Sequence, residues 1–288
     1  MCANSDCDLS LLPLNGDPSP TQQPLLSIIT VGFNSAATVG DTLESIRIAF
    51  AAVDRKLVEY VFIDGGSTDA TLAILASHAD VVDQRLSEPD RGMYDAMNKG
   101  AMLAGGRYLW YINSDDMLES PEALVDVLQG LALAPDVLVG NIVIVDKDDT
   151  ALVRRFWRVR MRLAIVQLGW YPPHPGFIIR ADLFRKIGGF DQRYVIASDI
   201  DFMTRALLLK PAIRQVDATL VRMRAGGASN GSLAAILQAN RECVDSLRRA
   251  TVAWPWIVVG LKVLRKALQR TNRVVRLTKP LNVKASRR

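Results

Sequence analysis

The chain has 288 residues, 49% hydrophobic and 23% charged, a balance that supports one full-sized core and excludes a disordered protein. Its longest apolar run near the C-terminus, Trp254 to Leu261, stops at Lys262, far short of the ~20 residues that cross a bilayer, so no membrane span is expected. The net charge of +5 is unevenly placed, with 13 Lys/Arg against 2 Asp/Glu in residues 241–288 and a net acidic remainder; this excludes the evenly basic body of a nucleic-acid binder and leaves a cationic tail to explain.

Residues 1–24 carry Asp6, Asp8, Asp17 and Pro13, Pro18, Pro20 and Pro24, without the basic start and apolar stretch of a secretion signal, and read as a disordered leader. Cys2, Cys7 and Cys243 are too scattered for a disulfide framework or a regular zinc site, so a cytoplasmic location is expected. From Leu25 short apolar runs alternate with helical stretches: Leu26–Val31 then Thr38–Val53, Leu57–Ile63 then Thr68–Ser77, Val81–Val82 then Gly92–Ala104, Arg107–Ile112 then Pro121–Leu133. Repeated βαβ order implies crossover connections. The expected fold is therefore α/β, with a mostly parallel central sheet, helices on both faces, and ligands held beyond the C-terminal ends of the strands. A strand Val137–Val145 follows, then an arginine-rich stretch Arg154–Arg162, a proline-rich turn at Tyr171–Gly176, a strand Phe177–Arg180 and helices Asp199–Leu209 and Leu233–Leu247. The main domain is expected over 25–232 and a basic amphipathic helical segment over 233–288.

The strand ends carry the chemistry. Val61-Phe62-Ile63-Asp64-Gly65-Gly66-Ser67-Thr68-Asp69 is an apolar strand ending in a carboxylate and a glycine turn. Asp64 either accepts from the ring N–H of a nucleobase, with Phe33 as a stacking face, or simply supports the turn into the next helix. Trp110-Tyr111-Ile112-Asn113-Ser114-Asp115-Asp116 ends in adjacent acids, which suit Mg²⁺ or Mn²⁺ bridging to phosphate oxygens, or else favour the start of the following helix. In Ser198-Asp199-Ile200-Asp201, Asp199 either takes a proton from an attacking hydroxyl or stabilises a helix N-terminus, and Asp201 points elsewhere around that helix. His174 is either a further ligand to the ion or a hydrogen-bonded turn residue. No G-x-G-x-x-G follows the first strand, no Walker lysine occurs, and no G-x-S-x-G elbow is present, which excludes the commonest dinucleotide, P-loop and hydrolase schemes.

Together with Ser27–Asn34, Glu88–Gly100 and Asn113–Asp116, these motifs resemble, in order and spacing over residues 25–210, the family 2 glycosyltransferases of the GT-A fold, and among them bacterial enzymes of exopolysaccharide and glycolipid assembly. The resemblance implies a Rossmann-like GT-A sheet and a metal-dependent, inverting transfer of a sugar from a UDP- or GDP-linked donor to a glycan or lipid-linked acceptor. It implies base contacts from Val31 and Phe33, a ring hydrogen bond to Asp64, a ribose or metal-water role for Asp115, and Mg²⁺ or Mn²⁺ ligation by Asp116 with His174. Asp199 takes the place of the general base. Many relatives carry an arginine where this chain has Met97, and Arg91 and Lys99 are the candidates to supply the missing charge. The other reading is a non-catalytic sugar-nucleotide-binding or assembly protein on the same fold.

In the tail, Ile257, Leu261, Leu264 and Leu268 form one helical stripe with Lys262, Arg265, Lys266 and Arg270 mainly elsewhere around it. After Trp254 and Trp256 this pattern fits a helix lying on an anionic membrane surface, at the inner face of the cytoplasmic membrane, in preference to a helix packed on the body.

Overall fold

A computed structural model describes residues 23–159, 170–226, 232–268 and 275–276; the expected leader up to residue 22 and part of the arginine-rich stretch lie outside them. Four strands, β1 (Leu26–Gly32), β2 (Val58–Asp64), β3 (Gln84–Ser87) and β4 (Tyr108–Tyr111), run parallel in the spatial order β3-β2-β1-β4. β1 and β2 are buried almost throughout, as near-continuous apolar runs must be when helices cover both faces. Beyond β4 the sheet becomes mixed. The strand β8 (Phe177–Arg180) pairs antiparallel with β4 and with β6 (Val137–Val145), followed by β7 (Leu152–Trp157) and β10 (Val275–Arg276). The strand β9 (Ile213–Arg224) lies parallel to β6 and pairs with the short β5 (Met117–Leu118).

Alternate residues of each strand face opposite sides, and two cores result. On one side α1 (Val39–Phe50), α2 (Thr71–Ser77) and α4 (Pro121–Leu131) place Leu43, Ile46, Leu75 and Leu124 against Ile28, Tyr60, Phe62 and Trp110. On the other, α3 (Met93–Leu103), α5 (Ala181–Lys186) and α6 (Ser198–Leu208) place Met97, Phe184, Phe202 and Met203 against Ile29, Val61, Ile63 and Tyr111. Each such side chain contributes roughly 1.5–3 kcal/mol. α3 lies so close to β1 that a Cβ on Gly100 would sit 2.5 Å from Ile29 Cγ2.

Two helices, α7 (Leu233–Arg249) and α8 (Pro255–Leu268), follow β9. Cys243, Val244 and Leu247 of α7 meet Ala197 ahead of α6, and Val258 and Val259 of α8. Two expectations about strands are corrected. The third strand is Gln84–Ser87 and not Val81–Val82: as an edge strand with one exposed face it needs few apolar residues, while Val81 fills the core from the preceding turn. The twelve-residue β9 was not expected, because Arg214, Asp217, Arg222 and Arg224 break its apolar pattern.

Candidate active site

β1, β2 and β4 end at one edge of the sheet, and their loops are cross-tied there. Gly65 N donates to Gly32 O at 2.9 Å. Asn34, at φ 50°, donates its amide to Ser67 Oγ (2.8 Å) and accepts from Thr68 N (2.9 Å), in a left-handed conformation that asparagine tolerates. Ser35 N reaches Thr71 Oγ1 (2.8 Å), Ala36 N reaches Asp69 Oδ2 (3.0 Å), and the hydroxyls of Ser35 and Ser114 are 2.8 Å apart. The Ser67-Thr68-Asp69 run is therefore a buckle between two loops.

Inside this frame sits Asp64, 1% exposed. Its Oδ2 accepts from Gly66 N (3.1 Å), Ser67 N (3.0 Å) and Ser87 Oγ (2.7 Å), while its buried Oδ1 has no partner. One oxygen holds the turn and the other is unspent, a costly arrangement unless a ligand's N–H completes it. Phe33, 61% exposed, follows Gly32, the register partner of Asp64, and lies against Gly65, where it offers a bare ring face. Val31 does not share that surface: its side chain is packed in the core beneath α3, leaving only its backbone toward the strand ends.

The two adjacent acids separate. Asp116 is 1% exposed; its Oδ2 accepts from Asn113 Nδ2 (3.0 Å) and its Oδ1 from Arg224 N (3.2 Å). Burial, followed by the charge of Asp115, pushes its pKa well above the carboxylate range. Both of its oxygens thus fasten the β4–β5 turn to β9, and each, accepting one hydrogen bond, keeps a second lone pair for a cation. A turn closed by Asp116 N donating to Asn113 O (3.1 Å) separates the two carboxylates, and it is Asp115 that stays half-buried. Burial raises the pKa of Asp115 too, which a bound cation would reverse. Among the described residues no three Asp, Glu, His or Cys side chains form a metal cluster. A single carboxylate completed by phosphate oxygens is a coordination that Mg²⁺ or Mn²⁺ accepts. Arg224, which the sequence reading passed over, donates Nη1 to Asp115 O at 2.7 Å and pairs with Asp41.

Asp199 stands half-buried in the first turn of α6, with Oδ1 accepting from Ile200 N at 2.8 Å. Asp201 turns away, to Arg205 and Ser246 Oγ. His174 stacks on Tyr111 (ring centroids 5.7 Å apart) and meets Phe190 edge-on at 5.6 Å. Its Nε2 is walled in without a partner. Burial lowers its pKa, and the charge of Asp199 opposes the shift. His174 thus sits against Tyr111, the last residue of β4, with the charge of Asp199 acting on its ring.

Helix α3 connects the two ends. Asn98 Nδ2 donates to Phe190 O (2.8 Å) while Oδ1 accepts from Phe190 N (2.9 Å), and Tyr94 OH donates to Ile196 O (2.8 Å). Burial, then the charge of Asp199, pushes the Tyr94 hydroxyl far above its usual pKa. Lys99 is committed to Glu88 (2.8 Å), Pro89 O (3.1 Å) and Asp95 (3.6 Å). Arg91 extends into solvent, 81% exposed, with only a 3.6 Å contact to Asp95. Phe33, Asp64 and Asp115 therefore stand at or just beyond the ends of β1, β2 and β4, His174 stacks on Tyr111, which ends β4, and the charge of Asp199 acts on both His174 and Tyr94.

Residues 27–190 match the sequence profile described as Glycosyl transferase family 2. The chain is 32% identical over 199 residues to an uncharacterized glycosyltransferase of Mycobacterium tuberculosis, covering 66% of this chain and 71% of that one. It is 32% identical over 187 residues to a PGL/p-HBAD biosynthesis glycosyltransferase of Mycobacterium bovis, covering 63% and 69%. Its fold is similar to that of Staphylococcus aureus TarS 1–349 in complex with UDP-GlcNAc, with a TM-score of 0.63 at 19% identity over 86% of this chain and 74% of that one. It is also similar to a mannosyltransferase from Pyrobaculum calidifontis in complex with GDP-Man and Mn²⁺, with a TM-score of 0.57 at 18% identity over 88% and 72%.

Proposed function

Because the chain belongs to glycosyl transferase family 2, we propose that it is a metal-dependent, inverting hexosyltransferase. It moves one sugar from a UDP- or GDP-linked donor to a glycan or lipid-linked acceptor in bacterial polysaccharide or glycolipid assembly. The observation that carries this reading is Asp64, whose buried Oδ1 lacks a partner next to the exposed ring of Phe33. A base stacked on Phe33 and donating a ring N–H to Asp64 satisfies both.

The diphosphate then falls toward Asp115, with Arg91 free to extend to it. A divalent cation at Asp115 would neutralise the diphosphate as it leaves. Asp199 takes the proton of the acceptor hydroxyl, whose oxygen bonds to the anomeric carbon from the face opposite the breaking bond to the diphosphate. His174, neutral and fixed between rings, shapes the wall beside that carboxylate. One base and one displacement invert the sugar.

A lipid-linked acceptor suits the tail. Val258 and Val259 of α8 face α7, while Trp254, Trp256, Ile257, Leu261 and Leu264 are exposed in a segment rich in Lys and Arg. This is the surface of a helix that rests on anionic lipid, at the inner face of the cytoplasmic membrane. Among the described residues no helix is long and apolar enough to cross a membrane. Arg154, at the start of the arginine-rich stretch, pairs with Asp146.

The test is donor turnover to water across UDP- and GDP-sugars with Mn²⁺ or Mg²⁺. Slow release of nucleoside diphosphate is expected, with the sugar of an α-linked donor appearing first as the β-anomer by NMR. Asp199→Asn should cut the rate at least about a hundredfold and leave donor binding intact. Binding without release from any donor would replace the enzyme with a binding protein on this fold.

A further inference from the structure

We propose that Glu242, on α7, is the positioning residue for Asp199: its carboxylate grips the loop that delivers the base. This rests on Asp199 being the base. Val195, Ile196 and Ala197 lead directly into α6, and their three successive amides converge on this single side chain. Glu242 Oε1 accepts from Val195 N (3.1 Å), and Oε2 accepts from Ile196 N (2.9 Å) and Ala197 N (2.8 Å). Gln238, one turn earlier on α7, donates Nε2 to Oε1 at 3.0 Å. From the other side Tyr94 OH holds Ile196 O, so the loop is fixed between α7 and α3.

Two further bonds bracket the grip. Tyr194 OH donates to Asp245 Oδ2 (2.8 Å) just before the loop, and Ser246 Oγ donates to Asp201 Oδ1 (2.8 Å) just after it. Asp199 lies between these fixed points, so α7 sets both the height and the rotation of the first turn of α6. Only a carboxylate suits the position, because every group facing it is a donor. A glutamine of the same size turns an N–H toward at least one backbone N–H whichever way its amide is flipped. Displacing a catalytic group by about 1 Å costs on the order of a hundredfold in rate. α7 lies outside residues 27–190, the span that matches the family profile, so this chain supplies the grip from its own C-terminal part.

The experiment compares the full chain with Glu242→Gln, Glu242→Asp, Gln238→Ala and Asp199→Asn, using the UDP- or GDP-sugar that the unaltered chain hydrolyses fastest with Mn²⁺. Glu242→Gln should lower kcat about ten- to a hundredfold, leave donor KM and the calorimetric Kd for UDP or GDP within about twofold, and speed amide exchange in the peptide containing Val195, Ile196 and Ala197. Glu242→Asp, which keeps the charge, should recover part of kcat. Gln238 is exposed on α7, so Gln238→Ala keeps the test open if Glu242→Gln does not fold; it should lower kcat severalfold at unchanged Kd. An unchanged kcat in either the glutamine or the Gln238 variant overturns the proposal, as does a loss of kcat matched by an equal loss of nucleotide affinity. If Asp199→Asn is inactive while Glu242→Gln behaves as the unaltered chain, only the grip fails. If Asp199→Asn keeps its rate, both readings fail.

Discussion

Replacing Asp64 with asparagine separates the two duties of one side chain. The three donors on Oδ2, from Gly66, Ser67 and Ser87, demand an acceptor, so the new amide must turn its oxygen toward them. Its NH2 then occupies the place of the unpartnered Oδ1 and presents a donor to the donor of a nucleobase. The turn keeps its hydrogen bonds in neutral form, so the melting temperature should move by no more than a few degrees. Binding loses one hydrogen bond to a charged acceptor, about 1.5–3 kcal/mol, and at 1.4 kcal/mol per decade Kd should rise about ten- to a hundredfold. Titration calorimetry with UDP and with GDP measures it. A Kd within twofold of the unaltered chain, in a variant that still melts normally, would refute the assignment of Asp64 to the base. Alanine is the poorer probe, since it strands the three donors and unseats the turn itself.

The acids after β4 should divide their effects. Asp116→Ala strands Asn113 Nδ2 and Arg224 N at about 1–3 kcal/mol each and should lower the melting temperature by several degrees, whereas Asp115→Ala should leave melting nearly unchanged and remove the Mn²⁺ enhancement of UDP or GDP binding; equal melting curves would contradict the geometry. His174 is held neutral by burial, with a folded pKa below its unfolded value near 6.5, so its contribution to stability is present above pH 6.5 and is lost as pH falls. The unaltered chain should therefore lose more melting temperature between pH 7.5 and 5.5 than His174→Phe, and parallel curves would count against it. Trp254→Ala with Trp256→Ala should abolish flotation with vesicles containing anionic lipid while leaving donor hydrolysis unchanged; undiminished flotation would remove α8 from the lipid surface.

The sequence exposes most of the donor half. Continuous apolar runs for β1 and β2, each ending in small or acidic residues, locate the strand ends, and Phe33 and Asp64 stand where the pattern puts them. What it hides depends on direction and distance. Which of Asp115 and Asp116 faces inward is decided by how the chain leaves β4, and only the bonds to Asn113 and Arg224 reveal it. β9 is concealed because its arginines are neutralised by Glu119, Asp41 and backbone carbonyls from distant segments. The role of Glu242 is invisible for the same reason: on an ordinary polar helix, its partners lie more than forty residues away. The flanking prolines of His174 indicate a turn, but not that its imidazole is shut between aromatic rings.

Helix α3 spans eleven residues, roughly 16 Å at 1.5 Å per residue. It rests on β1 through Gly100 and fastens to Phe190 and Ile196 through Asn98 and Tyr94. It works as a rigid gauge, so under the proposed function the gap between a nucleotide at Asp64 and a base at Asp199 would be a property of the scaffold and not of the surrounding loops. Redesigning those loops for a different donor sugar would then leave the working clearance untouched, and a sugar too bulky for it would be turned away however well its hydroxyls were matched.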